Sequence, residues 1–333
     1  MENIKQFYTN KTITEKIAGF AAAILALLLI IYLPASGNRS LMNIGIMVLM
    51  YIALGQSWNV GAMVGLFSVT HSVFFGLGVY GVTITLNRFG GDVITGVFIG
   101  LAMNLIVGII VGLIASKLSG LYFIMALIGI NQIIYAVAVQ FPALTGGTQG
   151  ISMPREMLMS KPSLFFIALV LAMLSMIFYV VLRNSRIGTS FVTTRENPNL
   201  SLALGSNVPL WRVVGLCIST CMASLSGAFY AFYMMSNNTD VFSGTFSLKI
   251  MTVSIVGGSS SVWGPVMGCI IIILDEYVRG MMPSKYAPFA VIIYALVLIV
   301  MALLRPNGLV SFFKKEQRHT ERDMKKKKLA TEE

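Results

Sequence analysis

Of the 333 residues, 56% are apolar and only 11% are charged, and the mean hydropathy is +0.81. Soluble domains carry about 25% charged residues, so this composition excludes a soluble globular chain, a disordered chain and a disulfide scaffold. The formal charge is +11, and nine basic residues lie in the stretch Arg305–Lys328. A basic tail beside an apolar run reads as an anchor at a lipid surface, not as a nucleic-acid footprint.

An apolar run of about 20 residues crosses one bilayer. In chain order such runs fall at 17–35, 41–60, 66–88, 92–116, 120–139, 163–182, 210–233, 247–260, 263–281 and 286–304. The expected fold is an all-α polytopic membrane protein with about ten transmembrane segments. A segment 1–16 precedes the membrane domain 17–304, and a basic tail 305–333 follows it. The run 17–35 exceeds a signal peptide's apolar core, so it reads as an uncleaved anchor. The run 247–260 is short, and fits either a crossing or a re-entrant half-helix.

Ten crossings with the N-terminus inside put Lys5, Lys11, Lys16, Lys117, Arg183, Arg186, Arg195, Arg212 and the tail on the inner side. Arg39, Arg88, Arg155, Lys161, Lys249, Arg279 and Lys285 fall outside. Positive charge favours the cytoplasm, so both termini are expected there. Five segments precede the polar stretch Phe141–Pro162 and five follow it. An odd number per half implies two inverted five-segment halves.

No Asp or Glu falls near the centre of a segment; Asp275 and Glu276 sit towards one end of theirs. Ion-coupled carriers keep a carboxylate in the membrane, where it is costly and functional. Its absence argues against ion coupling and against acid–base or metal catalysis. The chain also lacks a G-x-x-x-x-G-K-[ST] loop for ATP phosphates. A separate ATPase would resolve both absences. Cys217, Cys221 and Cys269 lie in apolar runs without nearby His or acid, and read as small buried hydrophobes.

Three stretches could carry function. Ser68–Tyr80 mixes small, aromatic and polar residues around His71, which reads either as a helix-packing histidine or as a pathway-lining one. Val256–Pro265 holds three glycines, three serines and a proline, which break a helix. Such a break is either a cavity-facing interruption at membrane depth or a plain turn. The long polar segment 183–211 contains a short helix, with Asn197 as N-cap, Pro198 at its first position and Gly205 as its stop. That helix either docks on a partner or lies along the membrane surface.

These residues resemble the integral-membrane permeases of bacterial branched-chain amino acid importers of the ATP-binding-cassette class, of the LivM type. The family's S-L-G-H-A-x-F-F-G-x-G-A-Y element is similar to Ser68–Tyr80, and R-G-L-Y-F to Ser119–Phe123. T-G-G-x-x-G matches Thr145–Gly150, G-G-x-G-[ST]-x-W-G-P resembles Gly257–Pro265, and R-P-x-G-L matches Arg305–Leu309. Ser260 stands where the family has glycine. The family's coupling element R-E-N-E-x-A-A-x-x-x-G is met by Arg195, Glu196, Asn197, Ser201 and Gly205, with Pro198 replacing its second Glu.

The resemblance implies inward transport of branched-chain amino acids, or of related small amino acids or amides, across a bacterial plasma membrane. It implies a second permease in a heterodimer, two cytoplasmic ATP-binding subunits, an extracytoplasmic substrate-binding protein and surrounding lipid. It implies no enzymatic activity of this chain, no cofactor, no metal and no nucleic acid. Candidate pathway residues are Ser68, His71, Ser72, Phe74, Phe75, Gly257, Gly258, Ser259, Ser260 and Trp263. Candidate coupling residues are Arg195, Glu196, Asn197, Pro198, Ser201, Ala203 and Gly205. An ion-coupled carrier of small polar solutes is the alternative.

Overall fold

The computed structural model describes residues 38–281 except Ser119 and Ser260, with the side chains of Leu121 and 275–281 also left aside. The expected segments 17–35 and 286–304, the stretch 1–16 and the tail 305–333 lie outside the described residues. Within them, every expected segment is a helix. They are α1 (Arg39–Met63), α2 (His71–Arg88), α3 (Val93–Lys117), α4 (Gly120–Gln140) and α5 (Lys161–Asn184). The polar segment holds α6 (Arg186–Glu196) and α7 (Pro198–Ala203), and then come α8 (Val208–Met234), α9 (Gly244–Gly257) and α10 (Gly264–Met281). By length and apolarity, α1, α3, most of α4, α5 and α8 can each cross a membrane. At 14 residues α9 is only about 21 Å long, short of a bilayer's apolar core of about 30 Å.

Side chains start these helices where the sequence offers them. Asn38 accepts from the Ser40 N–H at 3.0 Å to open α1, and Asn207 from the Leu210 N–H at 3.1 Å to open α8. Ser160 accepts from Ser163 N–H to open α5, and Ser243 from Phe246 N–H to open α9. Each of these satisfies one of the N–H groups that a helix leaves unpaired at its start.

Small residues then bring the backbones together. Gly81 of α2 lies against Gly100 of α3, and Gly78 of α2 against the backbone of Ser224 on α8. Gly227 of α8 meets the backbone of Phe75 and Val79, and Gly108 and Gly112 of α3 meet Thr220 and Val213. Without a hydrophobic drive between helices in lipid, close backbone approach of this kind supplies the packing. α9 and α10 form a hairpin in the same way, with Gly257 on Gly264 and Gly268 on Val253.

The loops gather at two ends. At one, Asn87 Nδ2 donates to Ser152 O at 2.8 Å, and Ile151–Ser152 (β1) pairs antiparallel with Ser236–Asn237 (β2). At the other, Gly65 packs on the side-chain stem of Arg195, and Arg212 Nη1 donates to Ser116 O at 3.5 Å. Among the described residues, the second end thus holds Lys117, Arg183, Arg186, Arg195 and Arg212 with the one acid Glu196. The β-paired end instead offsets Arg39, Arg88, Arg155 and Lys161 with Asp92, Glu156 and Asp240, so the second end is called the basic end below.

Three local expectations change. Helix α2 begins at His71, not at 66, because Gly65 takes a left-handed φ of +88° and the chain to Thr70 stays irregular. The two-residue β pairing is the one departure from all-helix architecture among the described residues. Lys249, counted with the outer loops, lies in the second turn of α9.

Candidate functional site

A polar junction sits where α1, α2, α4 and α9 meet. Ser72, the second residue of α2, receives the Ser247 hydroxyl of α9 on its own Oγ at 2.8 Å, and its N–H donates to Ser247 Oγ at 2.8 Å. Asn131 of α4 donates to Ser72 Oγ at 3.1 Å and to Phe242 O at 3.0 Å. Ser72, Asn131 and Ser247 are all buried. Asn131 stands eleven residues after Gly120 and nine before Gln140, about 16 Å and 14 Å from the ends of α4. The junction therefore lies well inside the span, and its groups satisfy one another as membrane depth requires.

His71 is fully buried beside it, with Nε2 2.7 Å from Ser57 Oγ of α1. The irregular chain from Gly65 to Thr70 is anchored by Trp58 Nε1 donating to Ser68 O at 2.9 Å. Ser68 and Thr70 hydroxyls pair at 3.1 Å. Non-helical backbone at such depth persists where protein encloses it. Phe74 and Phe75 are fully buried; Phe75 stacks on Phe246 at 4.8 Å and meets Tyr230 at 5.1 Å.

The second interruption is the turn between α9 and α10. Gly258 takes φ +125°, and Ser259 and Trp263 lie in the turn, Trp263 half-buried. Ser260 lies outside the described residues. Gln56 Nε2 donates to Val262 O at 2.5 Å and Asn59 Nδ2 to Ser261 O at 3.3 Å. The turn thus meets α1 four to seven residues before its end at Met63, about 6–10 Å short of it. One helical turn of α1, Gln56–Asn59, therefore touches both interruptions. Among the described residues, Gln56 Oε1, Asn59 Oδ1 and His71 Nδ1 are buried acceptors with no donor.

At the basic end, Asn197 Oδ1 accepts from the Leu200 N–H at 3.0 Å and Pro198 is the first residue of α7. Gly205 ends that element with φ +80°. Ser201 is buried, whereas Leu200, Leu202, Ala203 and Leu204 are exposed. Arg195 and Glu196 form an ion pair at 3.7 Å. The candidate coupling residues thus form one knob, while the candidate pathway residues form two clusters bridged by α1. Sequence reading missed Gln56, Asn59, Asn131, Ser247 and the depth of Lys249. Amides within otherwise apolar runs were the available signal for the first three.

The family profile described as "Branched-chain amino acid transport system / permease component" matches residues 40–302. The LivM high-affinity branched-chain amino acid permease protein of Escherichia coli (strain K12) is 22% identical, over 90% of this chain and 76% of its own length. The corresponding LivM protein of Salmonella typhimurium is 21% identical, over 83% of this chain and 71% of its own. A probable LivH permease of Methanocaldococcus jannaschii is 24% identical over 45% of this chain and 48% of its own. No solved structure matches the chain. With the family profile covering most of its length, the chain belongs to the branched-chain amino acid transport permeases, as an integral membrane protein.

Proposed function

We propose that this chain is the membrane-spanning permease of an ATP-driven importer that carries branched-chain amino acids, or closely related small amino acids or amides, into a bacterial cell. The observation that carries this reading is the knob Arg195–Gly205 at the basic end. It is capped by Asn197 and exposes three leucines, in a chain with no phosphate loop of its own. Leu200, Leu202 and Leu204 offer an apolar patch outside the spans, which suits contact with an ATP-binding subunit. The basic end is then cytoplasmic, as are both termini. A second permease, two ATP-binding subunits and a binding protein complete the importer.

The solute passes beside the two interruptions, near His71, Ser72, Phe74 and Phe75 and the turn Gly257–Trp263. Both interruptions supply polar backbone at depth, where an uninterrupted helix has no free group to offer. The test is uptake of labelled leucine, isoleucine and valine by the whole importer in liposomes, with and without ATP. ATP-dependent accumulation supports the proposal. Uptake that follows an ion gradient and ignores ATP would establish the carrier alternative instead.

A further inference from the structure

We infer that the carboxamide oxygens of Gln56 and Asn59 receive the α-ammonium group of the transported solute, at the turn between α9 and α10. This rests on reading the chain as an amino acid permease. Gln56 and Asn59 stand three residues apart on α1, so they share one face of that helix. They are 0% and 1% exposed. Their amide nitrogens bond neighbouring carbonyls of the turn, Val262 O at 2.5 Å and Ser261 O at 3.3 Å. A carbonyl only accepts, so each nitrogen must face the turn and each oxygen is left over.

The donors around them are already spent on backbone. Ser57 Oγ donates to Leu54 O at 2.6 Å, Ser219 Oγ to Ser57 O at 2.7 Å, and Ser254 Oγ to Gly55 O at 3.0 Å. Trp58 Nε1 donates to Ser68 O at 2.9 Å. Gln56 Oε1 and Asn59 Oδ1 are buried atoms with no donor among the described residues. Buried polar atoms are ordinarily paired. Two bare acceptors within one helical turn therefore call for a ligand that brings its own N–H groups.

A primary ammonium has three donors and no acceptor, which matches a pair of bare acceptors. Its charge also suits the place. α9 ends at Gly257 on this turn, and a helix C-terminus is the negative end of its dipole. No Lys or Arg lies within Gln56–Asn59 or Val256–Pro265. α10 begins at Gly264 on the far side of the turn, and a helix N-terminus favours an anion. A zwitterionic amino acid thus finds both signs here, whereas urea or an amide brings no cation. The oxygens are sealed at rest, because the α9–α10 hairpin closes on α1 with Gly55 against Pro265. Parting of hairpin and α1 during transport opens them to the solute.

The test irradiates a diazirine analogue of leucine with the assembled permease–ATPase complex cycling on ATP in detergent. The binding protein is left out, so that it does not choose among probes. Labelled peptides should contain Gln56–Asn59 or Val256–Trp263. Leucine and 3-methylbutylamine, which keep the ammonium, should compete about tenfold better than 2-hydroxy-4-methylpentanoate, the worth of one hydrogen bond to a charged group. In Gln56→Leu and Asn59→Leu that preference should disappear. Labelling confined to other segments, or equal competition by the hydroxy acid in the parent, would overturn the site whether or not the variants fold. Leu variants that label more weakly but keep the preference would reduce the amides to a brace for the turn, with a buried water on their oxygens. Uptake by the whole importer in liposomes reports separately: absent ATP-driven uptake removes the functional reading, while intact uptake with the wrong labelling removes only the ammonium site.

Discussion

Ser57 Oγ on α1 and His71 Nε2 on α2 lie 2.7 Å apart, and both side chains are fully buried. Ser57 has one hydroxyl proton, and it points at Leu54 O, 2.6 Å away. Oγ therefore accepts from the ring, which makes Nε2 the protonated nitrogen and leaves Nδ1 a bare acceptor. Ser57→Ala strands that N–H at a cost of about 1–3 kcal/mol, whereas removing both partners is far milder. The expected result is a lower melting temperature in detergent for Ser57→Ala. Adding His71→Leu should recover part of the loss. A Ser57→Ala protein that melts with the parent would show that the pair contributes nothing.

The two ends of the fold make a topological prediction. Gly90, Thr148 and Asn238 belong to loops at the β-paired end, and Gly205 to the basic end. Tags at the first three should be reachable from outside the cell, and a tag at Gly205 only from the cytoplasm. A cytoplasm-only reporter fused after Glu333 should be active. Reversed accessibility at all four positions would keep the fold and invert the membrane orientation.

Pathway opening can be read with cysteines. Ser72 is sealed by Ser247, Asn131 and Phe242, so this packing predicts protection at rest. With Cys217, Cys221 and Cys269 replaced, Ser72→Cys and Ser259→Cys should react with a water-borne thiol reagent only during ATP turnover. Protection of both in every nucleotide state would remove these interruptions from the path.

Helix positions were legible because long apolar runs leave the backbone little alternative, and each such run within 38–281 is helical; five of these helices are long and apolar enough to cross a membrane. Two kinds of feature were not legible. The start of α2 was masked by Val64, Leu66 and Phe67, whose apolarity hides the left-handed turn at Gly65 and the Ser68–Thr70 hydroxyl pair. The polar junction joins Ser72 to Ser247 across 175 positions, a pairing that no local pattern encodes. Asn131 and Gln132 stood in the sequence as adjacent amides inside an apolar run. Only the fold separates them, since it buries one and exposes the other. The knob was the reverse case: Asn197, Pro198 and Gly205 are local signals, and cap, first turn and left-handed stop all formed where they indicated.

That knob yields the last prediction. α7 is six residues long, too short to hold together by helix propagation alone, so its cap and its stop decide its shape. Gly205 takes φ +80°, and a side chain there would touch nothing within 4 Å. The penalty for another residue is therefore backbone strain, not collision. For valine in a left-handed conformation that strain is about 1–2 kcal/mol, while asparagine tolerates it. Gly205→Val should thus disturb the knob, and Gly205→Asn should leave it nearly intact. Ala203→Arg acts differently, placing bulk and charge on the exposed face beside Leu202 and Leu204. None of these changes touches a span, so membrane insertion should be unchanged in all three. If the knob transmits the ATPase stroke, Gly205→Val and Ala203→Arg abolish uptake and substrate-stimulated ATP hydrolysis, while Gly205→Asn retains most of both. Parental transport in the Val and Arg variants would place the ATPase contact elsewhere. Equal loss with Asn would mean that glycine is needed at 205 for something other than its left-handed backbone.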